Sequence, residues 1–147
     1  MKEKIIPKIR RLEVSDLEGN FYQTPENLTI VGDLSEKGKI VFDEITNNSV
    51  YNIFIAEHED KVVGTITLLL ERKFIHQGGL VGHIEDVATD EEFEGRGVGS
   101  HLVDYAIKHA KEKGCYKVIL DCSEENVSFY EKRGLRKHEV GMRIDLG

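Results

Sequence analysis

A chain of 147 residues with 20 basic and 27 acidic side chains has a formal net charge of -7, which argues against DNA, RNA or an acidic membrane surface as its main partner. At 39% hydrophobic and 32% charged residues with two prolines, the composition is that of a folding chain and excludes a low-complexity or disordered one. No apolar run approaches the roughly 18 residues needed to cross a bilayer, and the start from Met1 to Arg11 is mixed in charge, so the expectation is a cytoplasmic protein with one domain over residues 1–147.

Lys8 to Val14 reads as a first strand, and Ser15 with Glu18 three residues on is a capping-box signature for a helix. Thr24 then suits a cap and Pro25 a first helical position, with Leu28 and Val31 as an apolar face before Gly32. A second helix is predicted from Ser35 to the Asn47-Asn48 turn, carried by Ile40, Val41 and Ile45. Asn52 to Glu57 and Val62 to Leu70 read as a hairpin across the polar turn His58 to Lys61. The connection Arg72 to Gly79 leads into a further strand, Gly82 to Thr89, and unusual connections of this kind often carry function. Val98, Leu102, Tyr105, Ala106 and Ala110 follow the helical period from Gly97 to Lys113, with Gly114 placed for a left-handed cap. Tyr116 to Leu120 reads as a strand, Ser123 caps a helix over Glu124 to Arg133 that Gly134 ends, and Leu135 to Leu146 reads as a last strand. The order implies an α/β protein with a mixed sheet.

Glu94-Gly95-Arg96-Gly97-Val98-Gly99-Ser100 lies between a strand and a long helix. Helix starts present N–H groups without internal partners, so phosphate can sit there where no Cβ blocks it; the same letters also suit a tight turn with no ligand. The Gly-Lys-Ser/Thr of a P-loop is absent. A dinucleotide fingerprint fits Gly95, Gly97 and Ser100, but too little chain follows Asp121 to complete that fold. The two cysteines and six histidines show no metal-ligand spacing, so no metal is expected and no disulfide between Cys115 and Cys122.

Strand, x-x-Gly-x-Gly, helix, strand, then a helix bearing Asn126 and Tyr130, resembles the GCN5-related N-acetyltransferases (GNAT). That resemblance implies the acyl-CoA N-acyltransferase fold, a mostly antiparallel mixed sheet with flanking helices, and acetyl-CoA as cosubstrate. Glu94 departs from the family's basic or amide residue, while Arg96 keeps a positive charge in the loop. Within that family the glucosamine-6-phosphate N-acetyltransferases are a narrower match. It is carried by Leu28-Thr29-Ile30-Val31-Gly32, Lys73-Phe74-Ile75-His76, Ile84-Glu85-Asp86-Val87, Cys115-Tyr116-Lys117, Leu120-Asp121-Cys122 and Asn126 to Lys132, in the same order.

By that resemblance the pyrophosphate lies on Gly95, Arg96, Gly97, Val98, Gly99 and Ser100. The pantetheine arm runs along Val87, Ala88, Thr89 and Asn126, with Tyr130 near the sulfur as proton donor to the departing thiolate. Acetyl transfer to an amine needs a neutral amine and a polarised carbonyl. Glu85 and Asp86 are expected to orient the amine and receive its proton, either of them serving. The sugar phosphate falls to Thr29, Lys73, Phe74, Ile75, His76, Val87, Tyr116, Lys117 and Asp121, together with Glu85 and Asp86. Met142 is followed directly by Arg143, which alternation places on one strand face with Asp145, and Arg143 is expected to contact the phosphate within a homodimer. Two other readings stand beside this one, a different small-molecule or protein amine as acceptor, and an acyl-CoA-binding module without turnover.

Overall fold

Strand β3 (Lys61–Arg72) is the centre of the molecule because every residue from Val62 to Ile66 is buried, as its run of β-branched side chains favours. Around it the computed structural model, which describes residues 1–29 and 31–147, builds a five-stranded sheet in the order β1-β2-β3-β4-β5. The other strands are β1 (Lys8–Arg11), β2 (Tyr51–His58), β4 (Leu80–Thr89) and β5 (Cys115–Ile119). The first four are antiparallel and β5 runs parallel to β4. Glu59 (φ 49°) and Asp60 (φ 61°) join β2 to β3, the two left-handed residues that a twist-matched two-residue turn requires. Helices α1 (Gln23–Glu26), α2 (Gly38–Thr46), α3 (Ile75–Gly78), α4 (Val98–Glu112) and α5 (Val127–Glu131) complete the order. The predicted α/β class with a mixed, mostly antiparallel sheet is what the chain adopts.

Helix α4 covers one face of the sheet with Val98, Leu102, Val103, Ala106 and Ala110, all buried against Phe54, Ile66, Leu68 and Ile84. The contact is close because Gly64 has no side chain: a Cβ there would stand 2.6 Å from Val98 Cγ1 and 2.8 Å from Leu102 Cδ1. On the other face α1, α2 and the turn before them enclose a largely apolar cavity of about 250 Å³ over Ile53, Thr65 and Thr67.

Several predicted elements differ. The first capping box is not Ser15 with Glu18: the Glu13 N–H donates to Asp16 (2.8 Å), starting a 3-10 turn over Val14–Glu18. Asp16 wins this role because Arg10 grips both its oxygens at 2.8 Å. Thr24 does not cap; it is wholly buried inside α1, which ends at Glu26 before Leu28 and Val31. Ile30 lies outside the described residues. The second helix starts at Gly38, three residues after Ser35, and the last narrows to Val127–Glu131 behind a 3-10 turn at Glu124–Asn126. The predicted final strand, Leu135 to Leu146, is no strand: residues 135–147 hold no regular structure, and Val140, Met142, Ile144 and Leu146 are exposed. Their apolar alternation suits a strand, but among the described residues they pair with no strand of the sheet.

Gly64→Ala should destabilise the protein by about 1–3 kcal/mol through overpacking against α4, seen as a lower urea midpoint with an unchanged slope. An unaltered midpoint would show that Val98 and Leu102 can retreat.

Candidate active site

Between β3 and β4 the register passes from Thr67↔Glu85 to Thr65↔Ala88, so Asp86 and Val87 together oppose Ile66. This is a bulge, and Asp86 carries it in a left-handed conformation (φ 48°), the strained kind of backbone that recurs next to active sites. The bulge turns Asp86 into the wall of the apolar cavity, where Thr29 also stands. Glu85 keeps the face of His83, two residues before it. Burial, then the charge of Asp86 and that of Asp121, push the Glu85 carboxyl above its ordinary range, with His83 opposing them. Thr29 and Asp86 thus share one cavity wall, and Glu85 feels the charges of Asp86 and Asp121.

The parallel pairing of β4 with β5 ends at His83↔Ile119, although β4 continues to Thr89. From Ile84 onward the edge of Val87, Ala88 and Thr89 that faces away from β3 therefore borders an open slot. At its end lies the glycine loop, with Gly95 (φ 75°) and Gly97 (φ 92°) left-handed and Gly97 capping α4. The N–H groups of Val98, Gly99 and Ser100 in the first turn of α4 have no acceptor among the described residues, which makes a cradle for an anionic oxygen. Glu94 does not point into it. Its carboxylate accepts a bond from Asn27 Nδ2 (2.8 Å), which also donates to the Thr89 carbonyl (2.7 Å). Arg96 is likewise engaged, with its guanidinium 5.0 Å above the Phe93 ring and its Nε donating to the Glu3 carbonyl. Neither Asn27 nor this contact with Glu3 was legible in the motif.

In α5, which follows β5, Tyr130 is half-buried, and burial followed by the nearby Cys122 holds its phenol above the usual range, so it stays protonated as a donor. Phe129 stands edge-on to it at 4.9 Å, and Asn126 is exposed at the start of α5. Cys115 is partly buried and Cys122 exposed, and both are free thiols. Burial raises the Cys115 thiol, which suits an inert side chain.

The remaining predicted substrate residues form a second group. Lys73, Phe74, Ile75 and His76 lie in the loop before β4, where His76 stacks on Tyr116 (ring centroids 4.1 Å) and Lys117 Nζ lies 5.8 Å from the same ring. Lys73 Nζ is 2.6 Å from Glu71, whose other oxygen meets His83 Nε2 at 3.1 Å. Neither Glu71 nor His83 was singled out in the sequence, because only the pairing of β3 with β4 makes them neighbours. Five steps of strand from Leu80 to Glu85, about 17 Å along the backbone, lie between the end of this loop and the acidic pair, and the Lys73–Glu71–His83 contacts bridge part of that span. Arg143 does not extend from a strand: it is exposed and bonded to Asp145 Oδ1 (2.6 and 2.8 Å). The segment it belongs to passes the site, since a Cβ on Gly141 would stand 3.2 Å from Asp121 Oδ1.

Residues 9–135 match the Acetyltransferase (GNAT) family. The chain is 39% identical to glucosamine 6-phosphate N-acetyltransferase of Arabidopsis thaliana over 139 residues, covering 92% of this chain and 93% of that one. It is 40% identical to the Candida albicans protein of the same name, covering 90% and 91%. The crystal structure of the Arabidopsis thaliana protein superposes with a TM-score of 0.91 over 97% of this chain and 100% of that one, at 37% identity.

The raised Glu85 carboxyl makes a prediction of definite sign. A carboxyl whose folded value exceeds its unfolded one, about 4.3 for glutamate, costs no stability at lower pH. The cost grows as pH climbs to the folded value and then stays. Glu85→Gln should therefore raise the thermal midpoint near pH 7, a gain that fades by about pH 4. A lowered midpoint at neutral pH, or an equal shift at both, would show that Glu85 is not held at a cost.

Proposed function

Because the chain belongs to the acetyltransferase (GNAT) family, we propose from its site that it moves the acetyl group of acetyl-CoA to the 2-amino group of glucosamine 6-phosphate, giving N-acetylglucosamine 6-phosphate. The kinship with glucosamine 6-phosphate N-acetyltransferases over almost the whole chain carries the acceptor. The chemistry rests on the open slot between β4 and β5, with acids on one wall and a protonated phenol on the other.

Acetyl-CoA supplies an activated thioester. The residues fit its carrier: the unpartnered N–H groups of Val98, Gly99 and Ser100 suit a diphosphate, and the edge of Val87 and Ala88 that no strand covers suits the amides of an extended arm. Glu85, the acid whose proton affinity is raised, takes the proton of the attacking amine, and Asp86 and Asp121 orient the sugar. A sugar amine is a weaker base than lysine, so a modestly tuned carboxylate is enough. Tyr130 gives the departing thiolate its proton, and attack is direct, without a covalent enzyme intermediate. Neither cysteine is needed.

Two copies of the chain work together in this reading. Lys73, His76 and Lys117 supply the cations and donors that a phosphate requires, and lie toward the end of β4 opposite the glycine loop. The exposed side chains of Phe74, Ile75, Val140, Met142, Ile144 and Leu146 support a surface covered by a second copy, which brings its own loop to the site. Arg143 then reaches the phosphate by releasing Asp145. The protein is one acetyltransferase domain acting in the cytoplasm, on the amino-sugar route to UDP-N-acetylglucosamine. No helix is long and apolar enough to cross a membrane, and among the described residues no cluster of three His, Cys, Asp or Glu side chains could hold a metal.

Thiol release on mixing the protein with acetyl-CoA and a panel of amines tests the acceptor. Glucosamine 6-phosphate should be turned over with a kcat/KM at least about 100-fold above glucosamine, since a site built for phosphate is left with unpaired cations by the analogue; equal rates would assign another amine. For the shared site, Lys73→Ala and Glu85→Gln should each be nearly inactive alone, yet recover about a quarter of wild-type activity after unfolding and refolding together. Half the dimers are then mixed, each with one intact site. No recovery would place both residues in one chain's site.

A further inference from the structure

The glycine loop faces a difficulty that its own residues do not solve. Between Asp90 and Ser100 stand four acidic side chains, Asp90, Glu91, Glu92 and Glu94, and one base, Arg96. Lys61 is drawn to Glu92 at 3.3 Å and Asp90 at 3.8 Å, and Arg96 is occupied with Phe93 and Glu3. A ligand with a diphosphate would meet N–H dipoles in a locally negative setting.

The chain brings further cations from elsewhere. Strand β1 is antiparallel to β2, which is antiparallel to β3, as β3 is to β4, so β1 begins at the end of the sheet where β4 finishes. The segment before it lies across the glycine loop. Ile5 N–H donates to the Arg96 carbonyl (3.0 Å), Arg96 Nε donates to the Glu3 carbonyl (3.0 Å), and Lys4 Nζ donates to the Gly95 carbonyl (2.8 Å). Ile5 anchors the segment in the core at 8% exposure. The lysine stems lie over the glycines: Lys2 Cδ is 3.9 Å from where a Gly95 Cβ would be, and Lys4 Cδ is 3.8 Å from that of Gly97.

We propose that Lys2 to Ile5 form a phosphate strap, in which the Lys4 ammonium, with Lys2 beside it, binds the diphosphate of the coenzyme at the mouth of the glycine loop. This rests on the coenzyme reading above. An ammonium has three donors; Lys4 uses one on Gly95 and turns the other two toward a phosphate lying on Val98 to Ser100. The strap replaces the charge absent at position 94, and Glu94 is left to tie the loop to Asn27.

Titration calorimetry with CoA, and with 3′-dephospho-CoA, on the wild-type protein and on the Lys2→Gln/Lys4→Gln variant tests this. The variant should bind both about tenfold more weakly, with a shallower dependence on salt, while Lys4→Arg stays close to wild type. With S-acetylpantetheine, which lacks the diphosphate, the kcat/KM of variant and wild type should agree. Unchanged or tighter CoA binding by the variant would overturn the proposal, the second by making the strap an obstruction. So would an equal loss with S-acetylpantetheine, or a loss confined to CoA with its 3′-phosphate. Wild-type protein that binds no CoA would overturn the coenzyme reading as well, whereas wild-type binding with an indifferent variant removes the strap alone.

Discussion

The separation of β4 from β5 after His83↔Ile119 is the constraint on which the rest of the site depends. A strand inside a sheet has no backbone groups to offer, because neighbours on both sides take them. Where β5 ends at Ile119 and β4 runs on to Thr89, one edge of β4 is left without a strand to pair with; Asn27 meets the Thr89 carbonyl, and the groups before it are open to a ligand, water or another chain. The bulge at Asp86 falls within this unpaired stretch. Its position there is consistent with sterics, since a left-handed residue disrupts a ladder least where one side of the ladder is already missing. The two departures from regular pairing set Glu85 and Asp86 beside the slot with different surroundings, the first facing His83 and Asp121 and the second the apolar cavity.

A net charge of -7 and a substrate pair of anions are compatible only if binding is local. Long-range attraction is screened within about 8–10 Å at ordinary ionic strength, so the sign of the whole molecule matters less than what touches the phosphate. In the reading proposed above, those contacts are N–H groups and lysines from a remote part of the chain at the glycine loop. At the loop before β4 the groups proposed for them are Lys73, His76 and Lys117. Glu71 has a double role in the second place. It holds Lys73 at 2.6 Å and His83 at 3.1 Å, which orders the cation but also occupies it, and an arriving phosphate must compete with this carboxylate, which Lys73 and then His83 hold below its ordinary range.

What could be read from the amino-acid order was what depends on neighbours in sequence. Helix α4 was legible because Val98, Leu102, Ala106 and Ala110 repeat at the helical period and Gly114 takes the left-handed cap (φ 83°). The β2 to β3 hairpin was legible for the same reason. The start of the first turn was not, because Ser15 is an intrinsically good cap and only the grip of Arg10 on Asp16, a contact from β1 to the turn, overrides it. Thr24 was misplaced because burial under the sheet outweighs its capping preference. The last segment shows the opposite failure. Val140, Met142, Ile144 and Leu146 have the alternation of a strand, but alternation states only which side chains share a face and not whether an edge is available. The residues proposed for the site could be named from the sequence, while their placement in two groups could not, since that follows from the antiparallel run of β3 and β4.

The loop before β4 is held in a conformation its own residues do not favour. His76 (φ 51°, ψ 43°) and Gln77 (φ 57°, ψ 44°) are successive left-handed residues, each costing roughly 1–2 kcal/mol relative to a right-handed one. Local bonds offset this: Lys73 N–H donates to the Gly79 carbonyl at 2.8 Å, and Arg72 to the Gly78 carbonyl at 2.7 Å. The stack of His76 on Tyr116 ties the loop to β5, and Gly79 permits it, since a Cβ there would stand 2.7 Å from the Tyr116 ring. What the arrangement achieves within one chain is the wholly exposed side chain of Phe74, at 104%, which a relaxed loop could fold back over the sheet. Strain that persists in order to present an aromatic ring to solvent makes physical sense when something else receives the ring. The tie to Tyr116 also fixes Lys73 and His76 relative to β5, so whatever docks on Phe74 meets the cations in a set geometry.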